Sequence, residues 1–420
     1  MTKPDLNPAR GFHVMTKPIG PICNLDCSYC FYLEKENLFP KNERYQMSDQ
    51  VLEAYIRDYL ASQPGAEVTF AWQGGEPLLL GVDYFRKVVR LQRAQAGTRR
   101  VGNTLQTNAT LIDDEWAAFF SENDFLVGVS VDGPRELHDA YRVDKRGGPT
   151  FNKVMAGIDL LKKHGVRFNL LTVVNRDNAR KPLEVYSFLK GIGSGFIQFI
   201  PLVERRADTK ARDLGLDLAA PPDDREQDSP VTEWSVNPAD FGEFLVTIFD
   251  EWVRKDVGTI SIGLFDESLG KWAGVEGGMC VFSEKCGGAM AMEHNGDLYS
   301  CDHYVYPEYK LGNILEHPIR DLANSPAQRQ FGNDKRDKLP AYCRSCEVLF
   351  ACNGECPKHR FAKTPDGEAG LNYLCPAYKR FFNHINPVMQ VMARLWLEER
   401  SPTLIMDLMA EKDHNDAPAQ

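Results

Sequence analysis

The placement of cysteine constrains this chain more than any other feature. Cys23, Cys27 and Cys30 stand in one run near the start, C-N-L-D-C-S-Y-C, and the other eight of the eleven cysteines are confined to the last third of the sequence. Eleven leaves one cysteine over from a framework of disulfides alone and three over from four-thiolate metal sites alone. Three thiolates on a four-iron cluster leave one iron without a protein ligand, and that open corner is where chemistry can happen.

Bulk properties narrow the setting. At 420 residues the chain is long enough for one large α/β barrel with a smaller appendage, or for two or three ordinary domains. Its 43% hydrophobic and 26% charged residues are those of a soluble globular protein. A net charge of −10 argues against nucleic acid or an anionic membrane surface as partner. Residues 1–10 carry Pro4 and Pro8 and no long apolar core, unlike a signal peptide. No window approaches the roughly 18 consecutive apolar residues of a membrane span. A cytoplasmic location is expected, where cysteines stay reduced and their clusters read as metal ligands.

From residue 12 to residue 200, short apolar or β-branched runs alternate with amphipathic stretches. The pattern predicts strands over 12–16, 67–72, 102–107, 125–131, 167–174 and 196–201, and helices over 49–61, 83–95, 113–121, 152–164 and 182–191. Ser48 is placed to cap the first helix, and Asp113, Asp114 and Glu115 load carboxylates into the first turn of another. Strands alternating with helices imply right-handed βαβ units and a parallel sheet, whose functional groups gather at the carboxyl ends of the strands. The cysteine run follows strand one, Gly74-Gly75-Glu76-Pro77 strand two, Thr107-Asn108 strand three and Ser130-Val131-Asp132-Gly133-Pro134 strand four.

Beyond the barrel, residues 204–232 lose periodicity and read as an exposed insertion or mobile loop near the substrate entrance. Helical pattern returns over 241–253. Residues 280–375 have only short apolar runs, as in a segment that lacks its own core and needs metal to fold. A last helix over 377–399 carries an apolar stripe of Tyr378, Phe381, Phe382, Ile385, Val388, Met389 and Met392, as expected of a helix packed on the barrel.

Spacing sorts the metal chemistry. A three-thiolate zinc site at Cys23, Cys27 and Cys30 needs a fourth ligand, for which His13 is the nearby candidate, but zinc pairs usually come as Cys-x2-Cys rather than Cys-x3-Cys. The other eight cysteines suffice for two four-thiolate sites, and on spacing alone two structural zincs remain open.

The Cys-x3-Cys-x2-Cys run with Phe31 and Tyr32 after it, and Gly74-Gly75-Glu76-Pro77 one βα unit later, resembles the radical S-adenosylmethionine (SAM) superfamily. The resemblance implies a partial (β/α)6 TIM-like barrel in which Cys23, Cys27 and Cys30 hold a [4Fe–4S] cluster. SAM chelates its open iron through amino and carboxylate groups and is cleaved to methionine and a 5′-deoxyadenosyl radical. Gly74 and Gly75 would let the backbone approach the SAM amino group and Glu76 would accept from it, while Tyr29, Ser130, Arg142 and Leu202 would contact SAM.

The later cysteines resemble the SPASM extension of such enzymes, which carries two auxiliary [4Fe–4S] clusters, for three in all. The resemblance implies Cys280, Cys286, Cys301 and Cys356 on the first and Cys343, Cys346, Cys352 and Cys375 on the second. Asp302, directly after Cys301, narrows the likeness to the anaerobic sulfatase-maturating enzymes, where an aspartate at this place is the general base. Trp72-Gln73 before the glycine pair, Gln106 before Thr107-Asn108, Gln198-Phe199-Ile200-Pro201 and Cys301-Asp302-His303-Tyr304 support it.

The expected organisation is a radical SAM core over 12–236, a connecting helical segment over 237–279, the SPASM domain over 280–376 and a terminal helix over 377–400. The implied reaction oxidises a cysteine or serine of a sulfatase polypeptide to Cα-formylglycine, with an electron donor such as flavodoxin or ferredoxin. Two other readings stand beside it: formation of thioether or carbon–carbon crosslinks in a different peptide, and a zinc-stabilised binding protein without catalysis. His138 and His303 read as structural histidines and Asp132 as a turn-shaping residue. Lys358, His359, Arg360 and Lys363 read as a solvated face, with reception of a peptide carboxylate as the functional alternative.

Overall fold

A computed structural model describes residues 11–221 and 230–416. Residues 1–10, which bear on the signal-peptide reading, and 222–229, within the expected insertion, lie outside the described residues. Strands β1 His13–Lys17, β2 Glu67–Trp72, β3 Arg100–Thr107, β4 Phe125–Ser130, β5 Phe168–Val174, β6 Phe196–Pro201 and β7 Ser261–Ile262 pair in parallel in that order. Burial alternates along β4: Phe125, Val127 and Val129 are buried under the helices, and Leu126, Gly128 and Ser130 are only half-buried. The alternation is the period-two pleat expressed as chemistry.

The crossover helices are α1 Asp49–Ser62, α2 Val82–Gln95, α3 Asp114–Glu122, α4 Phe151–Lys163 and α5 Pro182–Ile192. Ser48 caps α1 by accepting from Val51 N, and Asp113 caps α3 by accepting from Trp116 N at 2.8 Å. Helices α6 Pro238–Lys255 and α7 Gly263–Trp272 complete the barrel side. The carboxyl ends of β1 to β6 therefore open on one mouth.

The segment 280–375 joins the barrel sheet: β8 Ala289–Glu293 pairs in parallel with β1, and β9 Asp297–Tyr299 and β10 Lys310–Asn313 extend the same ten-stranded sheet. Met290, Met292 and Leu298 join the main core, so this half of the extension folds on the barrel. Its later part has a small core of Leu339, Cys343 and Leu371, beside a hairpin of β11 Ala362–Lys363 and β12 Ala369–Leu371.

The described part of 204–232 is a packed arm rather than an exposed loop. Glu204 and Arg205 are buried, Thr232 N donates to Glu204 O and Arg206 N to Pro230 O, both at 2.9 Å. Ala211, Leu216 and Ala220 pack on Tyr306. Its apolar partner stands on the SPASM segment, which local periodicity cannot register.

Helix α8 Pro326–Asp337 braces the extension, α9 Cys375–Leu397 packs along α6, and α10 Ile405–Asp416 follows. The α9 stripe packs as expected, with the Tyr378 and Phe381 rings 5.7 and 6.2 Å from those of Phe241 and Phe249 on α6.

Candidate active site

Cys23, Cys27 and Cys30 ride on the loop after β1, and two neighbouring loops hold that loop in shape. On one side Asp26 N donates to Val143 O and Ser28 N to Tyr141 O. On the other, Gly75 N donates to Gly20 O and Glu76 N to Ile22 O, at 2.8 and 2.9 Å. A Cβ on Gly75 would stand 1.9 Å from Ile22 O. The first call on this glycine is thus close contact with the cysteine loop itself. Asn108, at the end of β3, donates to Asn24 Oδ1 at 2.9 Å and lies 3.7 Å from Cys23 Sγ.

Glu76 is fully buried and ties two strand ends together. Its carboxylate accepts from Leu78 N at 3.0 Å, Thr107 Oγ1 at 2.8 Å and Asn108 N at 2.8 Å. Burial pushes its carboxyl up to about 7, although those three donors pull the other way. With a folded value above the ordinary 4.5, the stability Glu76 contributes is complete below pH 4.5 and is lost as pH rises through 7. The reconstituted Glu76→Gln protein is expected to show a flatter dependence of Tm on pH over that window. A slope equal to wild type would exclude burial of this carboxylate as its source.

Arg142 is buried, and Asp132, fully buried beside it, does more than shape a turn. Its Oδ2 accepts from Arg142 Nε at 2.9 Å and from the Tyr29 hydroxyl, and its Oδ1 accepts from Val173 N at 3.0 Å. Anchored through Nε, the Arg142 guanidinium turns its outer edge to a cavity of about 270 Å³ lined also by Cys27, Tyr29, Cys30 and Leu202. Ser130 Oγ accepts from Gln106 Nε2 at 3.0 Å inside the barrel. His138 is structural, as read, held by Thr150 Oγ1 at 3.1 Å.

The opposite wall of the cavity comes from the extension. His303 lines it, its ring edge-on to Phe31 at 5.5 Å and its Nδ1 3.5 Å from Cys356 Sγ. Burial holds His303 down at about 3, so it is neutral. Asp302 Oδ1 lies 2.6 Å from Lys17 Nζ, the last residue of β1, and that ammonium sits 3.8 Å over the Tyr32 ring. Burial works against ionisation of Asp302, but the Lys17 ammonium, with Lys358 behind it, outweighs it and holds the carboxyl below its ordinary value.

The expected solvated face at 358–363 is largely interior. Lys358 pairs with Glu204 of the arm and lies 4.5 Å over Phe31, His359 pairs with Glu355 at 2.9 Å, and Arg360 donates to Gly354 O and Asn353 O. Only Lys363 is exposed. Lys17 and Glu204 carried no local signal in the sequence; each is recognisable only through a partner from a distant segment.

None of the eleven cysteines is in a disulfide. Cys280, Cys286, Cys301 and Cys356 act electrostatically on one another. Cys343, Cys346, Cys352 and Cys375 line a second small cavity. Burial raises Cys23 and Cys375 to about 11 and Cys27 and Cys352 to about 12, so metal must displace protons to bind them. Among the described residues no group of three or more His, Cys, Asp or Glu side chains is placed to hold a single metal ion. Thiols in sets of three, four and four, with the backbone N–H of Leu25 3.4 Å from Cys23 Sγ, suit one three-ligand and two four-ligand iron–sulfur clusters.

A parallel βα barrel that delivers a three-cysteine loop to its mouth, closed by a cysteine-rich extension, defines the radical SAM enzymes with auxiliary clusters. Residues 18–189 match the radical SAM superfamily and residues 280–347 the SPASM iron–sulfur cluster-binding domain. The chain is 47% identical over 403 residues to a serine-type anaerobic sulfatase-maturating enzyme of Bacteroides thetaiotaomicron, covering 96% of each chain. It is 33% identical to a cysteine-type enzyme of Clostridium perfringens over 89% of this chain and 96% of that one. The chain belongs to the family of anaerobic sulfatase-maturating enzymes.

The solved structure of native anSMEcpe with bound AdoMet and Cp18Cys peptide superposes with a TM-score of 0.79 at 33% identity, covering 92% of this chain and 99% of that one. Streptococcus suis SuiB bound to precursor peptide SuiA, at 13% identity and a TM-score of 0.59 over 87% of this chain and 76% of that one, shares the fold. Among the described residues no helix is long and apolar enough to cross a membrane.

Proposed function

We propose that this chain oxidises an active-site serine or cysteine of a partner sulfatase to Cα-formylglycine in the anaerobic cytoplasm, served by a low-potential donor such as flavodoxin or ferredoxin. The observation that carries the reading is Asp302, a half-buried carboxylate that Lys17 holds ionised, directly before the cavity-lining His303.

Cys23, Cys27 and Cys30 hold the first cluster. The outer edge of Arg142 receives the SAM carboxylate, a pairing guanidinium makes bidentately. The backbone at Gly74 and Gly75 meets the SAM amino end, with Glu76 behind it, and Tyr29, Ser130 and Leu202 line the remainder. Cys23, Cys27 and Cys30 would hold a cluster that, with SAM bound, would supply the radical chemistry for removing one Cβ hydrogen atom, and the later cysteines would hold the clusters able to take up the remaining electron.

Asp302 takes the hydroxyl or thiol proton as general base. Loss of a Cβ hydrogen makes that proton far more acidic than in the parent alcohol or thiol, so a carboxylate of low basicity suffices. Serine yields the aldehyde directly, and the thioaldehyde from cysteine exchanges sulfur for water. The neutral His303 and the Phe31 ring wall the cavity against solvent.

The test is anaerobic incubation of the reconstituted enzyme with reductant, SAM and peptides carrying serine or cysteine at the sulfatase position. An aldehyde captured by a hydrazide, in step with deoxyadenosine, is expected. Deoxyadenosine without a change in peptide mass, or a product with a new crosslink and no aldehyde, would overturn the reading.

A further inference from the structure

We propose that Lys335 is a fixed positive charge that raises the reduction potential of the first auxiliary cluster. The inference rests on the reading that Cys280, Cys286, Cys301 and Cys356 hold that cluster. Helix α8 carries Lys335 into the interior, where its side chain is fully buried. Its Nζ donates to Cys280 O at 2.7 Å and to Val281 O at 2.8 Å. Both acceptors are dipoles without net charge, one of them on a ligand residue. The ammonium thus lies against the backbone of one ligand residue and of its neighbour.

A buried cation is retained where anions surround it, and a four-thiolate cluster supplies them. Reduction adds one negative charge to such a cluster, so a nearby cation in a low-dielectric interior stabilises the reduced form more than the oxidised one. The same helix is tied to the ligand loop twice more: Cys286 N donates to Gly332 O, and a Cβ on Gly332 would stand 2.7 Å from Cys286 O. Arg360 in turn fixes the helix by donating to Lys335 O.

The cations beside the second quartet are held differently. The buried Arg360 guanidinium acts on Cys343 but is shared among the backbone carbonyls of Lys335, Asn353, Gly354 and Glu355, and the Lys379 ammonium, with its side chain 36% exposed, lies 3.5 Å from the Glu347 carboxylate, so water and a counter-charge screen it. The asymmetry follows the chemistry. Cys301 precedes Asp302 and Cys356 touches His303 at the cavity wall, so the first quartet is the set next to the reacting residue. Lys335 thereby favours the cluster nearest the substrate as the electron acceptor.

The experiment compares full-length, reconstituted wild type, Lys335→Gln and Lys335→Arg by redox titration followed with electron paramagnetic resonance. Gln keeps N–H donors for the two carbonyls and removes the charge, whereas Arg keeps the charge. Addition of SAM alters the signal of the Cys23–Cys27–Cys30 cluster and leaves the two auxiliary signals to be followed. Lys335→Gln is expected to shift one auxiliary potential to more negative values with the other unmoved, and Lys335→Arg to restore it. Unmoved potentials at full iron content, an equal shift of both, or failure of Gln and Arg variants alike to load iron would overturn the proposal. Wild-type protein with iron for fewer than three clusters would instead overturn the ligand assignment beneath it.

Discussion

Asp302→Asn is expected to lower the rate of aldehyde formation roughly 10²- to 10⁴-fold, the range lost with a positioned general base, while SAM cleavage continues. The uncoupling is the signature: deoxyadenosine accumulates at near wild-type rate as oxidised peptide falls. Asn also leaves Lys17 without its counter-charge, and breaking a buried pair costs about 3–5 kcal/mol, so iron content and Tm accompany the assay. Equal loss of deoxyadenosine and aldehyde would make Asp302 a structural residue.

Lys17→Met supplies the independent arm. Lys17 holds the Asp302 carboxyl below its ordinary value against burial. Without Lys17, burial is opposed chiefly by Lys358 and the carboxyl titrates higher, so the acid limb of the pH–rate profile moves to higher pH. An acid limb at the wild-type position would exclude Lys17 as the group that sets it.

Gly75→Ala is expected to abolish activity by a different route. The added Cβ meets a backbone carbonyl at 1.9 Å, and neither side has a flexible end to give way. Overpacking typically costs about 1–3 kcal/mol, and here the atoms that must move belong to the loop of Cys23, Cys27 and Cys30. The variant should lose the SAM-responsive signal while both auxiliary clusters remain. A Gly75→Ala protein with three clusters and wild-type turnover would show that the contact is not required.

The barrel was largely legible before any coordinates. Spans 67–72 and 196–201 coincide with β2 and β6, because dense apolar and β-branched runs bounded by turn residues carry a signal within a few positions. Strand β3 begins two residues before its expected start, at Arg100, where a charged strand end on the surface offers no apolar cue. The α9 stripe was legible for the same local reason. The arm around Ala211 was not, since its apolar residues are few and their partner, Tyr306, is remote in sequence.

The site divides in the same way. Cysteine spacing, the glycine pair and Asp302 are patterns within short segments, and the sequence alone determined the class of chemistry and the residues for it. Tertiary structure decided what those residues can do. Lys17 meets Asp302, Glu204 meets Lys358, Asp132 anchors Arg142, and Lys335 reaches the Cys280 carbonyl. Each pairing joins a charge to a partner that burial selects, and burial is a property of the folded chain, not of any window along it. The sequence determined which atoms could bind iron and accept a proton; the fold decided which charges stand beside them.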